Sequence, residues 1–265
     1  MKNKQNEKHW NQWLAGIIDS DGYLAIQKNN VAVCEITMAL NDERLLIQIK
    51  QQLGGHIRLR AGAKAVRYRL SHQQGIKKLI HRINGCIRNS QKVPQFQRLC
   101  AHFEIPYFPA SQLTLKNGYC AGFFDGNGTI FLTARSQLTE YATQKGILGK
   151  IHRLYYSQDA NEIRIFISQK NSHDLIPFSD VFKFGEIYKV KQKTKTWYRW
   201  ELKTELEILY FCDYLKKIPC RSIKNQQIFL IERYFELKKM GAHLAPKDTN
   251  LNKAWFLFCQ KWYKS

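Results

Sequence analysis

The 265-residue chain lacks several features that would define its class. It has no apolar run near the roughly 18 residues that a membrane span needs; its longest is Ala254 to Cys259. Its first 13 residues are polar and basic, so we expect no cleavable leader and no membrane partner. Its seven cysteines include no C-x-x-C pair, which argues against a disulfide framework or a zinc site and favours a reducing compartment.

Acidic residues are also scarce, since 21 Asp and Glu face 42 Lys and Arg and leave a formal charge of +21. Such an excess opposes compaction unless an anionic partner neutralises it, and nucleic acid is the usual partner. Hydrophobic residues make up 44% of the chain, which is enough for a core and excludes a disordered basic tail. Charge alone does not indicate any chemistry.

The chain contains two repeated motifs in the same order. WLAGIIDSDGYL at 13–24 resembles YCAGFFDGNGTI at 119–130, which lies 106 residues later. Each copy is followed by S-x-K-x-x-Q, at 90–95 and at 222–227. Two matches in one order indicate a duplicated domain. We therefore expect a first repeat domain at 1–104, a linker at 105–116 that contains two prolines, and a second repeat domain with C-terminal helices at 117–265.

Hydrophobic periodicity predicts an α+β fold in which each repeat has the order αββαββα. The first repeat shows this most clearly: two short strands follow Gly22, and a helix capped by Asp42 and stopped by the Gly54–Gly55 pair comes next. In the second repeat an extra segment at 136–161 would extend a hairpin, and Pro177 would interrupt a short helix. The stretches 225–240 and 252–263 are predicted to be helical.

Basic residues alternate with apolar residues along the predicted strands, so each sheet would have one cationic face. A solvated face is the ordinary explanation, but both repeats place the same sign of charge on the same strands, which favours a nucleic-acid groove. The predicted DNA-binding residues are Lys28, Arg58, Arg60, Arg67, Arg69, Arg135, Lys170, Lys189, Lys191, Lys193, Lys195 and Arg199.

The first motif makes an unusual helix, because small residues at Ala15, Gly16 and Ser20 give it a surface that another helix could approach closely. Asp21 and Asn127 then fall at the C-terminal ends of the two motif helices, where the helix dipole disfavours a carboxylate by roughly 0.3–1 kcal/mol. A bound divalent cation would offset that penalty. A simple C-terminal turn before glycine is the alternative for either copy alone.

These motifs resemble those of the LAGLIDADG homing endonucleases in the single-chain form with two fused repeats. The resemblance covers most of the chain, and the first copy matches the family motif at seven of nine positions. It implies two saddle-shaped antiparallel sheets related by a pseudo-two-fold axis, with the motif helices at the interface. It also implies a monomer that hydrolyses phosphodiester bonds in a long double-stranded DNA site. The absence of splicing blocks and the short length favour an intron-encoded enzyme.

The resemblance carries over to particular residues. Asp21 and Asn127 occupy the positions that bind Mg²⁺, or Mn²⁺; Ca²⁺ would occupy the site without supporting cleavage. Lys92 and Lys224 match the active-site lysine, for which ordinary phosphate contact is the alternative. Gln169 matches a water-organising position whose counterpart in the first repeat is Ala39. Asp19 and Asp125 are expected to be structural.

Asn127 departs from the family, which has an acidic residue there. An amide oxygen can touch a metal ion but brings no charge, so we expect weaker metal binding and impaired cleavage of one strand. Three alternatives stay open: a nicking or weakened enzyme, an RNA-binding maturase acting on its host intron, and a DNA-binding protein that no longer cuts. The family's usual introns imply location in a chloroplast or mitochondrion.

Overall fold

The computed structural model describes residues 2–135, 143–192 and 194–264. It confirms the α+β class and the duplicated order of elements. Within the described residues, no helix combines the length and apolar character needed to cross a membrane.

The first repeat begins with a long helix that carries the first motif and ends at Asp21. Gly54 ends the second helix of this repeat with a φ of 80°, a conformation that favours glycine. Its elements are α1 Lys2–Asp21, β1 Gly22–Ile26, β2 Ala32–Ala39, α2 Glu43–Leu53, β3 His56–Leu59, β4 Ala65–Leu70, α3 Gln73–Ile83 and α4 Val93–His102.

The second repeat begins with the second motif helix and ends in the helices predicted from the C-terminal stretches. Its elements are α5 Tyr119–Asn127, β5 Gly128–Ala134, α6 Gly146–Tyr155, β6 Asn161–Gln169, α7 Ile176–Phe182, β7 Glu186–Gln192, β8 Lys195–Leu202, α8 Glu205–Lys217, α9 Lys224–Lys239 and α10 Asn250–Lys264. Short 3₁₀ turns at Leu40–Asp42 and Ser172–Leu175 occupy equivalent places in the two repeats.

The strands form two antiparallel four-stranded sheets, in the orders β1-β2-β4-β3 and β5-β6-β8-β7. In the first sheet Cys34 pairs with Leu70, and both side chains are buried with Val66 and Tyr68 on the face that meets the helices. The opposite face therefore carries the polar residues of the same strands. The predicted alternation in β4 is confirmed.

By packing, the chain divides into two compact units that do not follow the repeats. One comprises Met1–Gly128, Ile167–Trp200 and Ile218–Ser222, and contains both motif helices. The other comprises Thr129–Phe166, Glu201–Lys217 and Ile223–Ser265, with a core that includes the stacked rings of Trp255 and Phe258. The predicted boundaries at 104, 105–116 and 117 follow the duplication instead and stay a prediction.

Several local expectations differ from the structure. The segment 136–161 contains helix α6 rather than a longer hairpin, with 136–142 outside the described residues. Pro177 lies in the first turn of α7, where its missing N–H has no helical partner to lose, so it does not interrupt the helix. The side chain of Asp42 makes no capping hydrogen bond to α2. Leu59, which alternation along its strand places with Ile57 on the apolar side, is 72% exposed, because β3 is an edge strand.

Candidate active site at the paired motif helices

The two motif helices approach each other so closely that only glycine fits between them. A Cβ atom added to Gly122 would lie 1.9 Å from the carbonyl oxygen of Trp13, and one added to Gly16 would lie 2.2 Å from that of Tyr119. Both obstacles are backbone atoms, which cannot rotate away. The small surface read from the sequence is therefore a true backbone-to-backbone contact between α1 and α5.

This packing brings the C-terminal ends of the two helices together. Asn127 Nδ2 lies 3.5 Å from the carbonyl oxygen of Ser20, and a Cβ on Gly126 would lie 2.8 Å from Asp21 Oδ2. Asp21 and Asn127 are both half-buried. A carboxylate and an amide thus meet at the paired helix ends, where the repeats predicted them.

Lys92 lies beside the same end of α1. Its ammonium group donates to the carbonyl of Gly22, the residue that follows Asp21. Burial lowers the pKa of Lys92, and the carboxylates of Asp19 and Asp21 partly oppose that shift. Gln95, the glutamine of the first S-x-K-x-x-Q motif, is the third residue of α4. It accepts a hydrogen bond from Leu24 N at 3.1 Å and so connects α4 to β1. The S-x-K-x-x-Q segment therefore packs against β1, the strand that directly follows Asp21.

The first aspartate of the first motif is a buried anchor, as expected for a structural residue. Asp19 Oδ2 accepts hydrogen bonds from the backbone N–H groups of Arg88 at 2.7 Å and Asn89 at 3.0 Å, and from the Tyr119 hydroxyl at 2.8 Å. Burial raises the pKa of Asp19 to about 6, although these three donors lower it. Asp19 thus joins the loop before Lys92 to the other motif helix.

Asp125 performs the same task in the second copy. It accepts hydrogen bonds from the Trp13 indole at 2.7 Å, from Arg221 N at 2.8 Å, and from Ser222 N at 3.0 Å and Oγ at 2.5 Å. Tyr119 and Trp13 occupy matching positions in the two motifs. Each motif therefore anchors its own lysine loop and holds an aromatic residue of the partner helix.

Two arginines that were not predicted from the sequence accompany these anchors. The Arg88 guanidinium lies 4.4 Å from the centre of the Tyr119 ring, and that of Arg221 lies 4.8 Å from the Trp13 ring. The signal available was an arginine shortly before each S-x-K motif. Counted from these arginines, Lys92 comes four residues later and Lys224 only three, so the two lysine loops differ in length.

The other predicted catalytic residues lie at the ends of secondary-structure elements. Lys224 is half-buried and begins α9, in the second compact unit. Gln169 is the last residue of β6 and is half-buried, and its amide nitrogen has no hydrogen-bond partner in the described part of the chain. Ala39 is the last residue of β2 and is exposed. Both end the second strand of their repeat.

The cationic face of the first sheet is present as predicted. Arg58 and Arg67 are directly opposite each other on β3 and β4, and such like-charged pairs are destabilising without a counterion. Glu35 lies among them, pairing with Arg67 at 3.5 Å and with Arg69. Arg67, Arg69 and Arg199 are half-exposed and Lys193 lies outside the described residues, while the exposed members of the predicted set are Lys28, Arg58, Arg60, Arg135, Lys170, Lys189, Lys191 and Lys195.

The donor set at the helix ends fits one kind of metal site. In the described part of the chain no three His, Cys, Asp or Glu side chains cluster in a way that could hold a metal ion. A single carboxylate from Asp21 with the amide oxygen of Asn127 suits a hard cation such as Mg²⁺, which keeps waters and takes its remaining ligands from substrate phosphates. It does not suit zinc, which needs three or four protein ligands.

Comparison with known proteins agrees with this architecture. Residues 14–103 match the family model described as LAGLIDADG endonuclease. The chain is 37% identical to the intron-encoded RNA maturase bI4 of Saccharomyces cerevisiae, over 98% of this chain and 37% of that protein. It is 30% identical to the intron-encoded DNA endonuclease ai2a of Dictyostelium discoideum, over 99% of this chain and 77% of that one.

The fold matches the I-LtrWI LAGLIDADG homing endonuclease bound to target DNA, with a TM-score of 0.69, 15% identity, and coverage of 96% of this chain and 97% of that chain. The chain belongs to the LAGLIDADG endonuclease family. It spans only 37% of the length of its yeast maturase relative.

Proposed function

We propose that this protein is an intron-encoded, divalent-metal-dependent endonuclease that binds a long double-stranded DNA site as a monomer. The observation that carries the proposal is the meeting of Asp21, Asn127 and Lys92 around the C-terminal ends of two helices that pack backbone to backbone. A duplicated binding protein would need the helix pair, but not a carboxylate and a half-buried lysine at its end.

The roles of the residues follow from their chemistry. Asp21 would hold the cation, with Asn127 as a weaker neutral ligand, and the bound cation supplies an activated water and charge neutralisation at the scissile phosphate. Lys92, already directed to Gly22 beside Asp21, would stabilise negative charge that develops on the phosphate and leaving oxygen. Gln169, whose amide nitrogen has no hydrogen-bond partner among the residues that the structure describes, would orient water, and Lys224 would serve the second strand.

The two active sites should be unequal. The second has Asn127 in place of an acidic residue, and its lysine follows the anchoring arginine by three residues instead of four. The amide of Asn127 would weaken the second site, because it brings no charge to the cation. We therefore propose that the Asn127 site cuts its strand more slowly and that nicked DNA accumulates.

The other partners follow from the same site. Mg²⁺ or Mn²⁺ would support cleavage, and Ca²⁺ would fill the site without supporting it, because such a sparse donor set requires an ion that coordinates phosphate in a strict geometry. The relatives named above are described as intron-encoded, which supports an origin within an intron. Location in a mitochondrion or chloroplast is part of this proposal.

The test uses supercoiled plasmid carrying the uninterrupted exon junction of the chain's own host gene. With Mg²⁺ we expect nicked circles to form before linear DNA. Asp21→Asn should abolish the faster cut while DNA affinity in Ca²⁺ stays the same, and Asn127→Asp should speed the slower cut. Asp180→Asn, at an exposed position on α7, is the matched control and should change neither.

Two results would contradict the proposal in different ways. Immediate linear product with equal cutting of both strands would show that Asn127 does not weaken its site. Tight duplex binding without cleavage in either Mg²⁺ or Mn²⁺ would remove the endonuclease function itself.

An RNA maturase is the second candidate, favoured by a specific observation. This chain is 37% identical, over 98% of its own length, to the yeast relative described as an RNA maturase, compared with 30% for the Dictyostelium endonuclease. A maturase needs the cationic surface but not the charge at position 127. Faster splicing of the host intron by the purified protein, unaffected by Asp21→Asn, would establish this role.

A further inference from the structure

The loop that carries Lys92 is held by a carboxylate from the other repeat. We propose that Asp174 is a positioning residue for Lys92, an inference that rests on the endonuclease function proposed above. Asp174 is buried, and its Oδ1 accepts a hydrogen bond from Ser90 N at 2.8 Å. Its Oδ2 accepts from Ser90 Oγ at 3.0 Å and from Asn89 Nδ2 at 3.4 Å.

These contacts fix the position of Lys92, because the loop's own hydrogen bonds connect Lys92 and Gln91 to Asn89. Between α3 and α4 the chain has no helix or strand of its own, so its position depends on its hydrogen bonds. Lys92 N donates to Asn89 O at 2.9 Å, and Gln91 N donates to Asn89 Oδ1 at 3.0 Å. A shift of Asn89 and Ser90 therefore moves the Lys92 backbone, and with it the ammonium group that reaches Gly22.

Comparison of the two halves shows what Asp174 adds. In the second half Asp125 accepts hydrogen bonds both from two consecutive backbone N–H groups and from the Ser222 hydroxyl. In the first half Asp19 accepts from two consecutive N–H groups but from no serine, and its Oδ1 has no partner in the described residues. The serine of that longer loop, Ser90, bonds to Asp174 instead. The longer lysine loop is thus held by two carboxylates, Asp19 and Asp174.

The position of Asp174 in the chain gives this contact a further consequence. It lies in the 3₁₀ turn Ser172–Leu175, five residues after Gln169 and four after Lys170. Asn171 in the same segment also reaches the loop, donating from Nδ2 to Ser90 Oγ at 3.0 Å. The segment 169–174 therefore contains the proposed water-orienting residue Gln169, the predicted DNA contact Lys170, and Asp174, which holds the loop of Lys92. Asp174 fixes the lysine relative to them.

Asp174→Asn disturbs the hydrogen bonds between Asp174 and the loop with little change in side-chain size. The amide must turn its NH₂ group toward at least one of the three donors that the carboxylate accepts from. We expect single-turnover cleavage of the Asp21-dependent strand to slow by about 10- to 100-fold, the range for a misplaced catalytic group. DNA affinity measured with Ca²⁺ should stay within about twofold. In a Lys92→Ala background the same substitution should add nothing, because it acts through the lysine. Asp180→Asn is again the control.

A second measurement does not depend on cleavage and separates this proposal from the one on which it rests. The acylation rate of Lys92 by a soluble reagent, followed by mass spectrometry, should rise severalfold in Asp174→Asn and in the milder Ser90→Ala. Lys78, which donates to the Gln52 carbonyl at 2.7 Å in the same repeat, is the internal reference. If the wild-type chain does not cut DNA but Lys92 responds, the endonuclease proposal fails and the positioning contact stands. The positioning role would be overturned if Lys92 reactivity were unchanged in both folded variants. It would also be overturned if Asp174→Asn slowed cleavage as much in the Lys92→Ala background as in the wild type.

Discussion

Asp19 should make the stability of this protein fall as the pH rises through mild acid. Asp19 is only 1% exposed, and this burial raises the pKa of its carboxyl group from 3.8 to about 6. All three of its hydrogen-bond donors reach Oδ2, and Oδ1 has no partner in the described residues. The charged form is thus only partly compensated for its removal from water.

The size and direction of the effect follow from proton linkage. Because the folded-state pKa is raised, the native state binds more protons than the unfolded state between these two values. The contribution is fully present below about pH 4 and is lost as the pH rises through about 6. A shift of this size corresponds to about 3 kcal/mol of unfolding free energy.

Asp19→Asn isolates this contribution. The amide oxygen can accept from all three donors, and the NH₂ takes the place of Oδ1. Urea unfolding followed by tryptophan fluorescence, at a series of pH values from about 4 to about 7, gives the difference between variant and wild type, in which other titrating groups cancel. Relative to wild type, the variant should gain about 3 kcal/mol across that range. A difference that stays constant with pH would refute a raised pKa at Asp19.

Two further predictions concern packing and charge. Gly122→Ala should lower the unfolding free energy by about 1–3 kcal/mol in the same urea assay, since the added Cβ would lie 1.9 Å from a backbone carbonyl oxygen. A variant as stable as the wild type would contradict the tight contact between the two helices. DNA affinity should fall steeply with salt, and Arg58→Ala or Arg67→Ala should each reduce the slope of log Kd against log salt by about 1. A flat wild-type response would exclude the cationic sheet as the DNA-binding face.

Much of the fold could be predicted because the duplication repeats its strongest local signals. Helix and strand periodicity are properties of short segments, and the small residues of the two motifs have a single good use at a helix interface. The pairing of Asp21 with Asn127 followed from that interface. The expectation that Asp19 is structural agrees with its hydrogen bonds, because it accepts from the backbone N–H groups of Arg88 and Asn89.

What could not be predicted depends on contacts between distant segments. The sequence gives no indication that Asp174 reaches Ser90, which lies 84 residues away, since nothing local about an aspartate in a turn specifies its partner. The stacking of Arg88 on Tyr119 was missed for the same reason. The helix in 146–155 was missed because an insertion has no counterpart in the first repeat to guide its assignment.

The two acidic positions of each motif have separate tasks, and this separation explains how the second copy can have lost one. Asp125 accepts four hydrogen bonds and joins a loop, a serine and an indole, so its replacement would leave buried donors unsatisfied. Asn127 is half-buried at the helix end and makes one long contact to a backbone carbonyl, so the fold does not require a carboxylate there. Under the proposed function, loss of charge at position 127 would weaken cation binding, and the packing of the helix pair does not depend on that charge. For this reason we expect that a chain of this architecture could lose cleavage of one strand, or of both, and still bind nucleic acid.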